Sequence, residues 1–267
     1  MSGTKVLYRV DNGVAVVTLH EPPANTYSYE MMRELDEAIL DARMDSSVHV
    51  IVITGSSDKF FCAGATIGML RDADPDYKYY FCLHANETLN RLEQTPKLVI
   101  AALNGHTVGG GFEVAMAADL RIARKDGGKI GLPEVALGVL PGTGGTQRLA
   151  RLVGKSRAME LLVTGRLMAM EEAAAAGLVT EVWDAERVGT RSFLDAVVDY
   201  ARQFTPPHKA SRAVGRIKRA VQSGAEAGLG EGLAIERELQ QLLFQSDDAK
   251  EGIAANLEKR KPKFTGN

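Results

Sequence analysis

Two six-residue runs, at 49–54 and 98–103, are almost wholly apolar, and a glycine follows each within two residues, Gly55 and Gly105. A strand with one wet face alternates apolar and polar residues; a short run that does not alternate is expected where both faces are covered. These runs therefore predict strands at the centre of a layered structure. A β-hairpin is expected before them, at 6–10 and 14–19, because Asp11-Asn12-Gly13 supplies residues tolerant of positive φ. Ser28 caps an expected helix with Glu30 at its positive end and Met32, Leu35, Ile39 and Ala42 along one face. A second helix is predicted over 77–93, closed by Pro96, and further strands over 119–123 and 129–132. The order cycles strand, strand, helix, which is neither strict βαβ alternation nor an all-β spacing. From about residue 186 the strands stop, and helices are predicted over 187–204, 210–222, 231–245 and 248–259. The alanines 173–176 sit in a helix of their own that stops at Gly177. The expected organisation is a mixed α/β core over 1–204 and a helical region over 205–267.

Composition removes several classes of function. The 267 residues carry 32 basic and 34 acidic side chains, net −2, and 45% are hydrophobic. That balance lacks the basic excess of a nucleic-acid binder and the apolar poverty of a disordered chain. No apolar stretch approaches the length a membrane helix requires. The start, Met1-Ser-Gly-Thr-Lys5, shows no charged and then apolar leader, so a cytoplasmic protein without membrane or nucleic-acid partners is expected. Two cysteines, Cys62 and Cys82, set no disulfide framework and read as thiols.

The familiar phosphate and nucleophile signatures are missing. The cluster Gly142-Thr-Gly-Gly-Thr146 leads to Gln147-Arg148 rather than Lys-Ser, and neither Gly-x-Gly-x-x-Gly after a strand nor Gly-x-Ser-x-Gly occurs. The histidines at 20, 49, 84, 106 and 208 form no His-x-x-x-His pair, so no metal is expected. Two backbone features point to catalysis instead. Gly109-Gly110-Gly111 opens directly into a helix, leaving unpaired N–H groups that can hold an anion, and the loop Phe61-Cys-Ala-Gly-Ala65 follows a buried strand. Taken alone, the glycines could equally serve close packing. Glu113 lies in the first turn of that helix within Phe-Glu-Val-Ala-Met, and Glu134 follows Pro133 at a strand-to-loop exit. A carboxylate in apolar company is expensive unless paired or functional, whereas a solvated glutamate at the end of an element is the plainer alternative. Cys62 borders the loop, but no neighbouring base or cation is visible to activate it. Trp183 with Phe193, Val197 and Tyr200 reads as core or subunit contact.

Cys62-Ala-Gly-Ala65, Asn104-Gly-His-Thr-Val-Gly-Gly-Gly-Phe-Glu113, Leu132-Pro-Glu134 and Leu140-Pro-Gly-Thr-Gly-Gly-Thr-Gln-Arg-Leu149 occur in this order. They resemble the successive signature segments of the enoyl-CoA hydratase/isomerase, or crotonase, superfamily, and the likeness runs over nearly the whole chain. The resemblance implies a crotonase-like spiral of repeated ββα units followed by C-terminal helices that pack between subunits of a trimer or hexamer. It implies an acyl-CoA thioester substrate and no separate cofactor, coenzyme A arriving as part of the substrate. By position, Ala65 and Gly110 would supply the oxyanion-hole amides and Glu113 and Glu134 the catalytic acids. Ala63, Ala65, Thr66, Ile67, Gly68 and Gly110 would line the path of the thioester and pantetheine, with 69–76, 77–82 and Leu140 around the acyl group.

The reaction expected from this resemblance is reversible hydration of a trans-2-enoyl-CoA to a 3-hydroxyacyl-CoA, as in fatty-acid or related acyl-CoA degradation. Negative charge develops on the thioester oxygen, so fixed donors there lower the barrier selectively. Water must lose a proton as it attacks C3 and C2 must gain one, tasks two carboxyls can share. Glu113, favoured as an anion by its helix N-terminus, is expected to take the proton from water, and Glu134 to deliver one to C2. Two close carboxyls cannot easily both ionise, so one pKa should be raised. The competing enzymatic reading is a double-bond isomerase or another enolate-forming enzyme, a decarboxylase or C–C hydrolase, which often needs one acid. A non-catalytic acyl-CoA or RNA-binding module is disfavoured by the even charge and by both acids being present. Two departures stand out: Thr66 replaces an Asp of many hydratases, and Asn256 stands where some members place an aromatic against adenine. Lys259 could meet a CoA phosphate or simply end a solvated helix.

Overall fold

The computed structural model describes residues 4–267; residues 1–3, on which the leader expectation largely falls, and the side chain of Leu70 lie outside it. The hairpin forms as expected from β1 (Val6–Asp11) and β2 (Val14–Leu19), with Asn12 and Gly13 turning at φ 47° and 83°. Then α1 (Tyr29–Met44), capped by Ser28, buries Met31, Met32, Leu35, Ala38, Ile39 and Ala42. It leads to β3 (Val50–Gly55), all six residues of which are buried. Next come β4 (Phe60–Cys62), α2 (Ile67–Asp72), α3 (Pro75–Gln94), β5 (Leu98–Leu103), β6 (His106–Val108), α4 (Gly110–Met116), β7 (Leu120–Arg124) and β8 (Lys129–Gly131).

The strands form two sheets, and from β3 to β8 they are dealt alternately between them. One has the order β1-β2-β3-β5-β7-β10, where β10 is Glu181–Trp183; the other is β4-β6-β8-β9, where β9 is Met168–Ala169. The opening hairpin β1-β2 lies wholly in the large sheet; the three windings that follow, β3-β4, β5-β6 and β7-β8, each give the first strand to the large sheet and the second to the small one, and the chain winds as the expected spiral. The handover is tight. A Cβ on Gly55 would stand 2.3 Å from the Phe60 carbonyl oxygen, and one on Gly105 would stand 2.4 Å from the Lys59 carbonyl carbon. Glycine is required there because backbone meets backbone. Asn104 fastens the crossing: its amide nitrogen donates to the Gly55 and Ser57 carbonyls, and its oxygen accepts from the Gly55 N–H and the Thr54 hydroxyl.

Burial on both faces explains the unbroken apolar runs. Ile51 and Ile53 of β3 point into a core shared with α1 and α3, whereas Val50 and Val52 point into a second core with Ile100, Trp183, Phe193 and Val197. Trp183 and its aromatic neighbours are therefore core, with Trp183 5.5 Å from Tyr200 centroid to centroid.

Beyond β8, Glu134–Leu137 is a 3-10 turn rather than the open strand exit expected, followed by α5 (Gly145–Val153) and α6 (Lys155–Thr164). After β9 comes α7 (Met170–Ala175), which ends before Gly177 at φ 79°. The single helix expected over 187–204 is two, α8 (Ala185–Val188) and α9 (Phe193–Arg202). Gly189 at φ 69° breaks it, and Ser192 caps the new start by accepting from the Asp195 N–H. The chain ends with α10 (Ser211–Ala225), α11 (Leu229–Phe244) and α12 (Asp247–Leu257). Among these, α10 is fastened to the core by buried Lys218 on Asp119 at 2.9 Å, while α11 buries no residue. Among the described residues no helix is long and apolar enough to cross a membrane.

Candidate active site

The spiral brings the end of β4 against the start of α4. Tyr27 pairs with the β4 loop as an isolated parallel bridge: its N–H donates to Gly64 O at 2.9 Å and its carbonyl accepts from Thr66 N at 3.1 Å. In such a bridge the intervening residue turns its own amide away, so the Ala65 N–H faces off from Tyr27. Gly64, at φ 86°, lies so close to α4 that a Cβ there would stand 2.9 Å from the Gly110 nitrogen. Gly109, at φ 59°, is held by donating to Gly131 O at 2.9 Å, which leaves Gly110 as the first amide of the helix. Among the described residues neither the Ala65 nor the Gly110 N–H has a hydrogen-bond acceptor. The two residues that the family resemblance marks as donors therefore stand on adjoining loops with both amides unengaged.

The two glutamates share the site in opposite settings. Glu113 is 2% exposed. Its Oε1 accepts from Thr143 N at 2.8 Å and Gly145 N at 2.7 Å, and its Oε2 accepts from the Thr143 hydroxyl. The helix start that holds this carboxylate is thus that of α5, not its own α4 as expected. Burial pushes the Glu113 carboxyl above the usual range, opposed by the hydrogen bonds from Thr143 and Gly145 and by the Arg148 charge. Glu134 enters from the 3-10 turn, where a Cβ on Gly109 would stand 2.9 Å from its Oε1. Its Oε2 is buried without a hydrogen-bond partner among the described residues. Burial, with the Glu113 charge adding to it, raises its pKa to about 7. One carboxyl is thus solvated by protein donors and the other is starved of them.

A family model described as enoyl-CoA hydratase/isomerase matches residues 9–267. The chain belongs to the enoyl-CoA hydratase/isomerase family. Among curated relatives of this family, a probable enoyl-CoA hydratase of Mycobacterium tuberculosis is 38% identical over 266 residues, covering 99% of each chain. The short-chain-enoyl-CoA hydratase of Clostridium acetobutylicum is 36% identical over 262 residues, covering 98% of this chain and 97% of its own. Among solved structures, an enoyl-CoA hydratase of Geobacillus kaustophilus superposes with a TM-score of 0.95 at 44% identity, covering 100% of this chain and 98% of that one. That of Bacillus anthracis gives 0.89 at 31%, covering 98% and 100%.

The remaining residues that the family resemblance singled out fall around this centre. Ala63 and Thr66 are half-buried beside the donor loop, while Ile67 and Gly68 open α2 at the surface. Thr66 does not cap α2; its hydroxyl lies 3.3 Å from both Tyr27 O and Thr26 Oγ1, so it ties the loop inward. Of the segment 77–82, Tyr77, Tyr79 and Tyr80 are exposed. Phe81 stacks on Tyr27 at 5.8 Å, and a Cβ on Gly142 would stand 3.2 Å from Cys82 Sγ. Leu140, Asn256 and Lys259 are exposed. Cys62 is buried, and its thiol is pushed up to about 12 by that burial, which argues against a nucleophile. Among the described residues no group of three or more His, Cys, Asp or Glu is placed to hold a metal. Sequence reasoning assigns no role to Thr143 or Tyr27. Thr143 lies inside the 140–149 segment, which carries the resemblance without marking the threonine, and Tyr27 precedes a helix cap with no motif to mark it.

Proposed function

We propose that this chain hydrates a trans-2-enoyl-CoA reversibly to the 3-hydroxyacyl-CoA. The observation that carries the reading is the contrast between the two carboxyls beside a pair of unengaged amides. The thioester oxygen would accept from the Ala65 and Gly110 amides, which stabilise it most when it becomes an enolate oxygen. Both lone pairs of Glu113 Oε1 are occupied, so the one remaining acceptor site is on Oε2, and a water held there is activated by the anion. As the water oxygen bonds to C3, its proton passes to Glu113 and the double-bond electrons move to the thioester. Glu134, which holds a proton near neutral pH, delivers it to C2. Proton exchange between the acids or with solvent then restores the starting state.

On this reading the chemistry asks for no metal or redox cofactor. The 3-hydroxyacyl product suits an acyl-CoA degradation sequence in the cytoplasm, and the exposed C-terminal helices suit a homotrimer or homohexamer. Loss of the conjugated-enone absorbance of crotonyl-CoA, with a gain of one water in product mass, is the expected result. Glu113→Gln and Glu134→Gln should each lower kcat by about 10²–10⁴. Binding of crotonyl-CoA without turnover, or a product of unchanged mass, overturns the reading.

A further inference from the structure

The Thr143 hydroxyl has one proton. Facing the Glu113 carboxylate it gives that proton to Oε2, so its oxygen is left to accept, and the group 3.2 Å away is the Tyr27 hydroxyl. Tyr27 is 3% exposed. Burial and the neighbouring Glu113 charge hold its phenol well above its ordinary pKa, so it is a donor wherever the protein is folded. The ring lies against α4 closely enough that a Cβ on Gly110 would stand 2.0 Å from the hydroxyl oxygen. Its backbone meanwhile pairs with Gly64 and Thr66 of the donor loop. A single residue therefore touches the oxyanion loop through its main chain, the second donor through its ring, and the base through one intervening hydroxyl.

On the hydratase reading above, we infer that Thr143 and Tyr27 are positioning residues for Glu113: a hydroxyl chain running Tyr27 to Thr143 to Oε2 keeps the carboxylate ionised and leaves a single lone pair open for water. Packing alone asks for neither hydroxyl, because phenylalanine and valine would fill nearly the same space. The other groups facing Glu113 are Arg148, which lowers its pKa, the Glu134 carboxyl across the site, and Cys82, whose thiol is raised by burial and then by the Glu113 charge. Arg148 is already held by Glu93, at 2.6 Å, and cannot take the place of the hydroxyl. Among the influences that pull Glu113 back toward ionisation, the Thr143 hydroxyl bond is the largest.

The test follows the carboxyl carbon of Glu113 by NMR across a pH series in protein labelled with ¹³C-glutamate, Glu113→Gln serving to assign the signal. The kcat and KM of crotonyl-CoA hydration are measured over the same series. In Thr143→Val the Glu113 titration should move up by about one pH unit, the scale of a lost charge-assisted hydrogen bond. The acid limb of the kcat profile should follow it, with KM little changed. Tyr27→Phe should move both in the same direction by less, and Thr143→Ser should restore the parent titration because it keeps the hydroxyl. A Glu113 titration unmoved in Thr143→Val, or displaced as far in Thr143→Ser as in Thr143→Val, overturns the inference. A parent that hydrates nothing while its titration responds as expected refutes the hydratase reading and leaves the hydroxyl chain standing.

Discussion

At pH values where a free glutamate is fully ionised, Glu134 still holds its proton part of the time, because burial and the Glu113 charge together raise it to about 7. That proton has a consequence for stability as well as for catalysis. Between the unfolded value of 4.5 and about 7 the folded chain binds a proton that the unfolded chain releases, so this group's contribution falls as pH rises through that window and levels off above it. The full shift would correspond to roughly 3 kcal/mol; since Glu134 is only half-buried, screening leaves about 1–2 kcal/mol. Glu134→Gln, which cannot ionise, should therefore gain about 1–2 kcal/mol on the parent between pH 4 and pH 8, read from urea unfolding at the two pH values. A constant difference between the two proteins would refute the assignment of the shift. In activity the same group sets the alkaline side: hydration should decline above about pH 7 as Glu134 loses its proton.

The long apolar strands β3 and β5 were legible because burial on both faces removes every polar letter from the run. Strands β4, β6 and β9 were not, since two or three residues cannot carry a period and their pairing is imposed by the winding. The apolar period over 187–204 runs across two helices, because Gly189 and Ser192 together spell a stop and a new cap inside it. The site divides the same way. Glu113 and its glycines are adjacent in sequence and were visible; Thr143 is 30 residues from Glu113 and 116 from Tyr27, and a hydrogen bond at that separation leaves no local pattern. Asn104 belongs to the element scale too, because its amide joins the end of β5 to the turn after β3. Asn104→Ala would leave several buried polar groups without partners and should destabilise the fold by about 2–4 kcal/mol in urea unfolding. Asn104→Asp, which keeps the acceptor and loses the donors, should fall short of full rescue.

At the scale of the molecule, the C-terminal helices expose Leu229 at 79%, Phe244 at 60% and Leu257 at 77%, more apolar surface than an isolated helical appendage usually shows water. On the proposed reading self-association would cover it: the chain should then sediment as a trimer or hexamer, and Leu242→Asp combined with Phe244→Asp should yield smaller species with unchanged far-ultraviolet circular dichroism. A parent chain that sediments as a monomer would count against this. The spiral also fixes when a working site can exist. Ala65 comes from the first winding, Gly110 and Glu113 from the second, and Glu134 and Thr143 from the third. A ribosome that has released only the first two windings has made the donor loops and the base, yet that base lacks its three hydrogen bonds and the second acid has not arrived. On the proposed reading catalytic competence would thus be a late event in the life of each new chain, gained when the third winding docks on the two before it.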